Sequence, residues 1–228
     1  MLTKSQVCER IRELGVLPAV RVASAEEAQY AAETVARGGI PLVEITLTIP
    51  GAIPLITNLV HKHTKMIVGA GTVLDVETAR QCVDAGAHFL TSPGLNLPVM
   101  EFAVKQQIAV LPGALSPTEV VLAWQAGADF VKVFPCALVG GAVYIRALRA
   151  PMPQIPLIAA GGVTQQTAAD YILAGASAIG VGAELIPAEA IARRQTKRIH
   201  ELARRFLGFV KEARARLEEL KAETQVQS

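Results

Sequence analysis

The sequence predicts an α/β fold: a single (β/α)8 TIM barrel with an additional N-terminal helix and a long C-terminal helical extension. Eight short apolar runs recur along the 228 residues, separated by helix-length segments, which is the alternation of a closed parallel barrel. Ala85-Gly86-Ala87, Ala126-Gly127-Ala128 and Ala174-Gly175-Ala176 each follow an amphipathic segment and precede an apolar run, and Arg37-Gly38-Gly39 repeats the pattern more loosely. The composition is 51% hydrophobic but only 4% aromatic, a core mainly of Ala, Val, Ile and Leu that suits close-packed β/α layers in one domain.

An amphipathic helix near Thr3 to Leu14 comes first and is expected to close the bottom of the barrel. The strands follow as Val16 to Arg21, Val43 to Leu47, Met66 to Gly71, Phe89 to Gly94, Ala109 to Gly113, Phe130 to Pro135, Leu157 to Gly162 and Ala178 to Ala183. Helix starts stand at Ser24-Ala25-Glu26-Glu27, Asp75-Val76-Glu77 and Ser116-Pro117-Thr118-Glu119, where a capping side chain precedes an acid in the first turn. Glycine just past a helix takes the left-handed conformation cheaply, so each Ala-Gly-Ala reads as a helix stop.

Beyond the eighth strand, Ile199, Leu202, Phe206, Val210, Ala213, Leu217 and Leu220 recur at three- and four-residue steps and draw one apolar stripe along a long helix. Its first part is expected to pack on its own barrel, with a frayed, charged end after Lys221. The domain then divides into an N-terminal helix at 1–15, the barrel at 16–186 and a C-terminal helix and tail at 187–228.

The formal net charge of +2 calls for no polyanionic partner. Arg193, Arg194, Lys197, Arg198, Arg204 and Arg205 begin a basic C-terminal segment. Without interleaved aromatics it reads as a solvated helix face, and neither nucleic acid nor membrane is expected as a partner. Cys8, Cys82 and Cys136 are odd in number and lack metal-type spacing. No signal peptide precedes Leu2 and the apolar runs are strand-sized, so a cytoplasmic location is expected. His61 and His63 form a close pair without nearby acids or cysteines; both are expected at the solvated surface, and no metal is implied.

Lys132 sits in Phe130-Val131-Lys132-Val133-Phe134-Pro135, with apolar neighbours on both sides. An amine in such a strand is either neutralised by a partner or kept unprotonated for chemistry. The structural alternative is a lysine paired with a distant acid or reaching out of the sheet. Glu44 interrupts Leu42-Val43-Glu44-Ile45-Thr46-Leu47 in the same way, and alternation puts Glu44 and Thr46 on one face.

Strand C-termini of a parallel barrel share one mouth, where Glu44 and Lys132 become either an acid/base beside a nucleophile or a structural ion pair. Gly69-Ala70-Gly71-Thr72 and Ser92-Pro93-Gly94 would bring a hydroxyl and open backbone to that mouth, unless they are ordinary turns. Gly161-Gly162 and Gly180-Val181-Gly182-Ala183 stand where many barrels hold a phosphate, though tight β/α turns also want glycine.

Taken in order, Val43-Glu44-Ile45-Thr46-Leu47, Gly69-Ala70-Gly71-Thr72-Val73, Ser92-Pro93-Gly94, Leu111-Pro112-Gly113, Ser116-Pro117-Thr118-Glu119, Lys132-Val133-Phe134-Pro135 and Gly161-Gly162-Val163 resemble the 2-keto-3-deoxy-6-phosphogluconate (KDPG) and 4-hydroxy-2-oxoglutarate aldolase family, class I aldolases on a (β/α)8 barrel. The likeness runs to about Pro187. It implies that Lys132 forms a Schiff base with a keto acid and that Glu44 shuttles protons through water. It further implies that Thr72 and the backbone near Pro93 hold the pyruvate carboxylate and that Phe134 packs on the pyruvyl group. Gly161, Gly162, Gly182 and Ala183 would receive the substrate phosphate. No metal or organic cofactor is implied, and a homotrimer is.

Two departures bear on the substrate. Some relatives place an arginine, read as a carboxylate ligand, where this chain has Thr48; Arg21 at the end of the first strand would supply that charge. Relatives commonly carry Pro-Thr before the Gly-Gly pair and a serine after the last glycine turn, where this chain has Ala159-Ala160 and Ala183. Each lost neutral hydrogen bond costs about 0.5 to 1.5 kcal/mol, so an unphosphorylated 4-hydroxy-2-oxo acid rivals the phosphorylated substrate. Two other readings stand beside the aldolase: a phosphate-binding isomerase or synthase with Lys132 as an electrostatic clamp, and a non-catalytic binding or assembly module.

Overall fold

Thr3 opens the first helix, α1 (Lys4–Leu14), with a reciprocal cap: its hydroxyl accepts from the Gln6 N–H while the Gln6 side chain accepts from the Thr3 N–H. The computed structural model describes residues 2–227, with side chains through residue 223. Strand β1 (Val16–Val20) follows, and then α2 (Ala25–Arg37), β2 (Leu42–Thr46), α3 (Ala52–Lys62), β3 (Ile67–Gly71), α4 (Val76–Asp84), β4 (Phe89–Thr91) and α5 (Leu97–Lys105). The second half holds β5 (Ala109–Leu111), β6 (Gly113–Ala114), α6 (Pro117–Gln125), β7 (Val131–Val133), α7 (Gly141–Arg149), β8 (Leu157–Ala160), α8 (Ala168–Leu173), β9 (Ala178–Val181), α9 (Ala188–Ala192) and α10 (Thr196–Gln227).

All strand pairs are parallel, in the order β5-β4-β3-β2-β1-β9-β8-β7-β6. β5 and β6 are two pieces of the one predicted strand, divided at Pro112, which has no N–H for the ladder. One piece pairs with β4 and the other with β7, so the chain closes a ring of eight barrel strands. The Pro112 carbonyl still accepts from the Lys132 N–H at 2.9 Å.

Several predicted strands run too far at their C-terminal ends. Arg21, Leu47, Gly94, Pro135, Gly162 and Ala183 lie in the turns beyond β1, β2, β4, β7, β8 and β9. After β8 the backbone turns at Gly161 and Gly162, whose φ values of +84° and +87° leave the ladder. The predicted helix stops hold, with φ of +89° at Gly86, +92° at Gly127 and +98° at Gly175.

Helix α1 lies across the N-terminal end of the barrel. Lys4 pairs with Asp129 at 3.0 Å, and the Arg12 guanidinium stands 4.9 Å from the Phe130 ring centroid. Helix α10 packs along α2 and α8, burying Ile199, Phe206, Val210 and Ala213. Arg214 fixes its far half by donating to the carbonyls of Glu13 (2.7 Å), Arg12 (2.5 Å) and Ser177 (3.1 Å).

Leu220 is 48% exposed, so the apolar stripe runs off the barrel. The helix continues to Gln227, through the charged end after Lys221. Helix-favouring Glu, Lys and Ala and the Glu218–Lys221 pair at 2.7 Å account for the continuation.

His63 also departs from expectation. His61 is exposed, but His63 is half-buried with Nε2 3.1 Å from the Glu33 carboxylate, which Lys62 also reaches at 2.8 Å. The packing of α2 on α3 brings in this acid from thirty positions upstream.

Candidate active site

Two charged side chains stand inside the ring. Glu44 on β2 is 2% exposed and Lys132 on β7 is 9% exposed. The Lys132 amine lies 3.5 Å from Glu44 Oε2, at the outer edge of hydrogen-bond distance, and 3.3 Å from the Thr91 hydroxyl on β4. Its Nζ is 5.6 Å from the centroid of the Phe134 ring. Thr46, on the same face of β2 as Glu44, donates to the Val20 carbonyl at 3.0 Å and so ties β2 to β1 beside the acid.

Room for these side chains comes from glycines. A Cβ on Gly71 would stand 2.2 Å from Glu44 Oε1, and one on Gly69 would stand 2.2 Å from the Phe89 ring. Gly69-Ala70-Gly71 therefore makes space for an acid and an aromatic ring in the interior, where the sequence suggested open backbone at the mouth. Gly113 does the same for the loop after β4, since a Cβ there would lie 2.1 Å from the Pro93 carbonyl oxygen.

The amine and the carboxylate face a cavity of about 420 Å³ at the C-terminal mouth. Of the residues singled out in the sequence, Arg21, Glu44, Lys132, Phe134, Gly161, Gly162, Gly182 and Ala183 line it. Thr72 and Pro93 are not in that lining. Thr72 is half-buried at φ +64° just past β3, and Pro93 is exposed just past β4. The arginine at 21 is exposed, and among the described residues no carboxylate pairs with it.

Sequence reasoning missed Thr91, Thr164 and Glu184. Thr91 was within reach, because two-residue alternation from Phe89 points it inward at the end of β4. Thr164 and Glu184 follow the glycine turns and line the far part of the cavity.

Cys136 lies buried in the turn just past β7. Burial pushes the Cys136 thiol up to about 11, which keeps it protonated and unreactive at neutral pH. Among the described residues, no three or more His, Cys, Asp or Glu gather to hold a metal ion, and no helix is long and apolar enough to cross a membrane. A buried amine with a carboxylate and a hydroxyl beside it can add to a carbonyl and exchange protons in one enclosed place.

The profile of the family described as KDPG and KHG aldolase matches residues 7–202. A 2-dehydro-3-deoxy-phosphogluconate aldolase of Treponema pallidum is 31% identical over 210 residues, covering 92% of this chain and 99% of its own length. The KHG/KDPG aldolase of Escherichia coli is 33% identical over 190 residues, covering 83% of this chain and 89% of its own. The crystal structure of KDPG aldolase from Legionella pneumophila, with pyruvate captured at low pH as a covalent carbinolamine intermediate, superposes with a TM-score of 0.80 at 30% identity, covering 87% of this chain and 96% of that one.

Proposed function

Since the chain belongs to the KDPG and KHG aldolase family, we propose that it is a class I aldolase, a carbon–carbon lyase that cleaves KDPG or a related 2-keto-3-deoxy or 4-hydroxy-2-oxo acid to pyruvate and an aldehyde. The aldehyde is glyceraldehyde 3-phosphate or glyoxylate for the two substrates that name the family. The observation that carries this reading is the Lys132 amine, 9% exposed, held between Glu44 and Thr91 at the floor of a cavity. The covalent pyruvate adduct captured in the Legionella pneumophila relative supports it.

In this reading the Lys132 amine adds to C2 of the keto acid, and loss of water from the carbinolamine gives the iminium. Glu44, through water, takes the proton of the 4-hydroxyl. The C3–C4 bond breaks, its electron pair passes into the iminium, and the aldehyde leaves. Protonation of the enamine at C3 and hydrolysis then release pyruvate and restore the amine.

Arg21 supplies the cation for the substrate carboxylate, toward the rim formed by Thr72 and the backbone near Pro93. Phe134 packs on the pyruvyl group beside the amine, and Gly161, Gly162, Gly182 and Ala183 receive the distal end. Pyruvate release from a panel of C4-epimeric 2-keto-3-deoxy acids tests the activity. Turnover of none of them would contradict it.

For assembly, we propose a homotrimer. Leu74, Leu97, Leu122, Trp124, Leu138 and Val143 are exposed and belong to consecutive units from the end of β3 to α7. The opposite side of the barrel carries α10 packed on α2 and α8. Two further copies of the chain are the occupants proposed for the apolar half. Three free, buried cysteines suit a cytoplasmic location.

A further inference from the structure

We propose that Glu184 is a specificity-determining residue, and that the preferred substrate is a 4-hydroxy-2-oxo acid whose far end carries hydroxyls and no phosphate. This narrows the aldolase reading and rests on it. The amine and Glu44 fix the reacting end of the cavity. The cavity continues to the turns after β8 and β9, the place where barrels of this kind hold a phosphate.

Backbone N–H groups of the glycine turns can receive a phosphate dianion there, and cations or hydroxyls beside them would strengthen the hold. The two cations of the lining are Lys132 and Arg21, at the ends of β7 and β1. The far turns present Gly161, Gly162, Val163, Gly182 and Ala183, and the Thr164 hydroxyl is engaged with that of Thr167 at 3.1 Å. The helices that follow, α8 and α9, have only six and five residues, which leaves little dipole for an anion.

What these turns do present is a carboxylate. Glu184 lines the cavity, is exposed, and among the described residues has no Lys, Arg or His within ion-pair distance. Two arginines of α10 line the adjoining cleft, on the other side of Ala183 and Glu184, but both are committed elsewhere. Arg198 reaches Glu189 at 3.7 Å and Gln195 at 3.1 Å, while Arg205 reaches Glu201 at 2.5 Å and Gln165 at 3.3 Å.

The lining therefore balances Arg21 and Lys132 against Glu44 and Glu184. A monoanionic keto acid uses Arg21 and leaves nothing unmatched. A 6-phosphorylated acid puts two more negative charges beside Glu184. At about 6 Å in water-like surroundings this repulsion disfavours the dianion about tenfold. A sugar hydroxyl instead donates to the same carboxylate, a charge-assisted bond. Cleavage of the C3–C4 bond then yields pyruvate and an uncharged polyhydroxy aldehyde. The water lost on imine formation returns at hydrolysis, so no co-reactant is required.

The test compares kcat/KM for 2-keto-3-deoxygluconate and its 6-phosphate, each as both C4 epimers, by pyruvate release from the full chain. Parent and Glu184→Gln are assayed at low and high NaCl. The parent should favour the unphosphorylated acid, and the variant should raise the phosphorylated-to-unphosphorylated ratio about tenfold. Salt should raise that ratio in the parent, a readout independent of the substitution. A parent preference for the phosphorylated acid, or a ratio that the variant leaves within about twofold, overturns the inference alone. Absence of pyruvate from every substrate overturns the aldolase reading and the inference with it.

Discussion

The Gly71 backbone lies against the Glu44 carboxylate so closely that a methyl group on Gly71 would stand 2.2 Å from Oε1 and 2.6 Å from Cγ. The acid is thus held by the absence of a side chain on the neighbouring strand, in register Thr46 to Gly71. Gly71→Ala should displace the carboxylate and lower kcat roughly a hundredfold, because misplacement by about 1 Å is enough for a loss of that size. Overpacking should cost about 1 to 3 kcal/mol in stability. Since Lys132 is untouched, covalent capture of pyruvate should persist while turnover falls; loss of both together would show that more than the acid had moved.

Burial raises the thiols of Cys8, Cys82 and Cys136, each to about 11. A raised thiol stays protonated below that value, so at pH 8 the folded protein should react slowly with a disulfide reagent such as DTNB. Unfolding in guanidinium should release three rapid equivalents, matching the three free cysteines. Rapid labelling of the native chain would contradict the buried placement.

Burial pushes the Glu33 carboxyl up, but hydrogen bonds from Lys62, Gln29 and His63 outweigh it and hold the group down at about 2. A depressed carboxylate stabilises the fold above its unfolded value of about 4.3, and that contribution is lost as pH falls toward 2. Half-exposed Lys62 screens the pair, so the contribution is about 1 to 2 kcal/mol. Thermal melts between pH 5 and pH 2.5 should show the parent losing more stability than Glu33→Gln. Parallel curves for the two would remove the coupling.

Leu138 and Val143 are 83% and 75% exposed on the apolar half of the barrel. Replacing both with Glu should convert a trimer into monomers in sedimentation equilibrium while leaving the far-ultraviolet spectrum intact. A monomeric parent, or a variant that still assembles, would exclude this face as the contact between copies.

The barrel was legible because its signals are local. Apolar runs mark strands, and Gly86, Gly127 and Gly175 mark helix stops through the positive φ they adopt. Strand ends were less legible, since an apolar run does not say where the ladder stops. The division at Pro112 followed from a missing N–H that the sequence displays but whose effect depends on both neighbouring strands.

At the site, Glu44 and Lys132 stood out because each interrupts an apolar strand. Thr91 did not, because threonine is an ordinary strand residue. Glu184 reads in sequence as a solvated turn, and only the closed ring brings it to the cavity that Lys132 faces. His63 gained its acid from another helix, and Gly69 and Gly71 gained their meaning from Phe89 and Glu44, contacts that no local pattern encodes.

The central claim is that Lys132 is the nucleophile. Incubation with pyruvate and sodium borohydride, followed by intact mass and peptide mapping, should place one reduced pyruvyl adduct on Lys132, retained in Glu44→Gln and lost in Lys132→Met. An unmodified chain, or an adduct that persists in Lys132→Met, would contradict it.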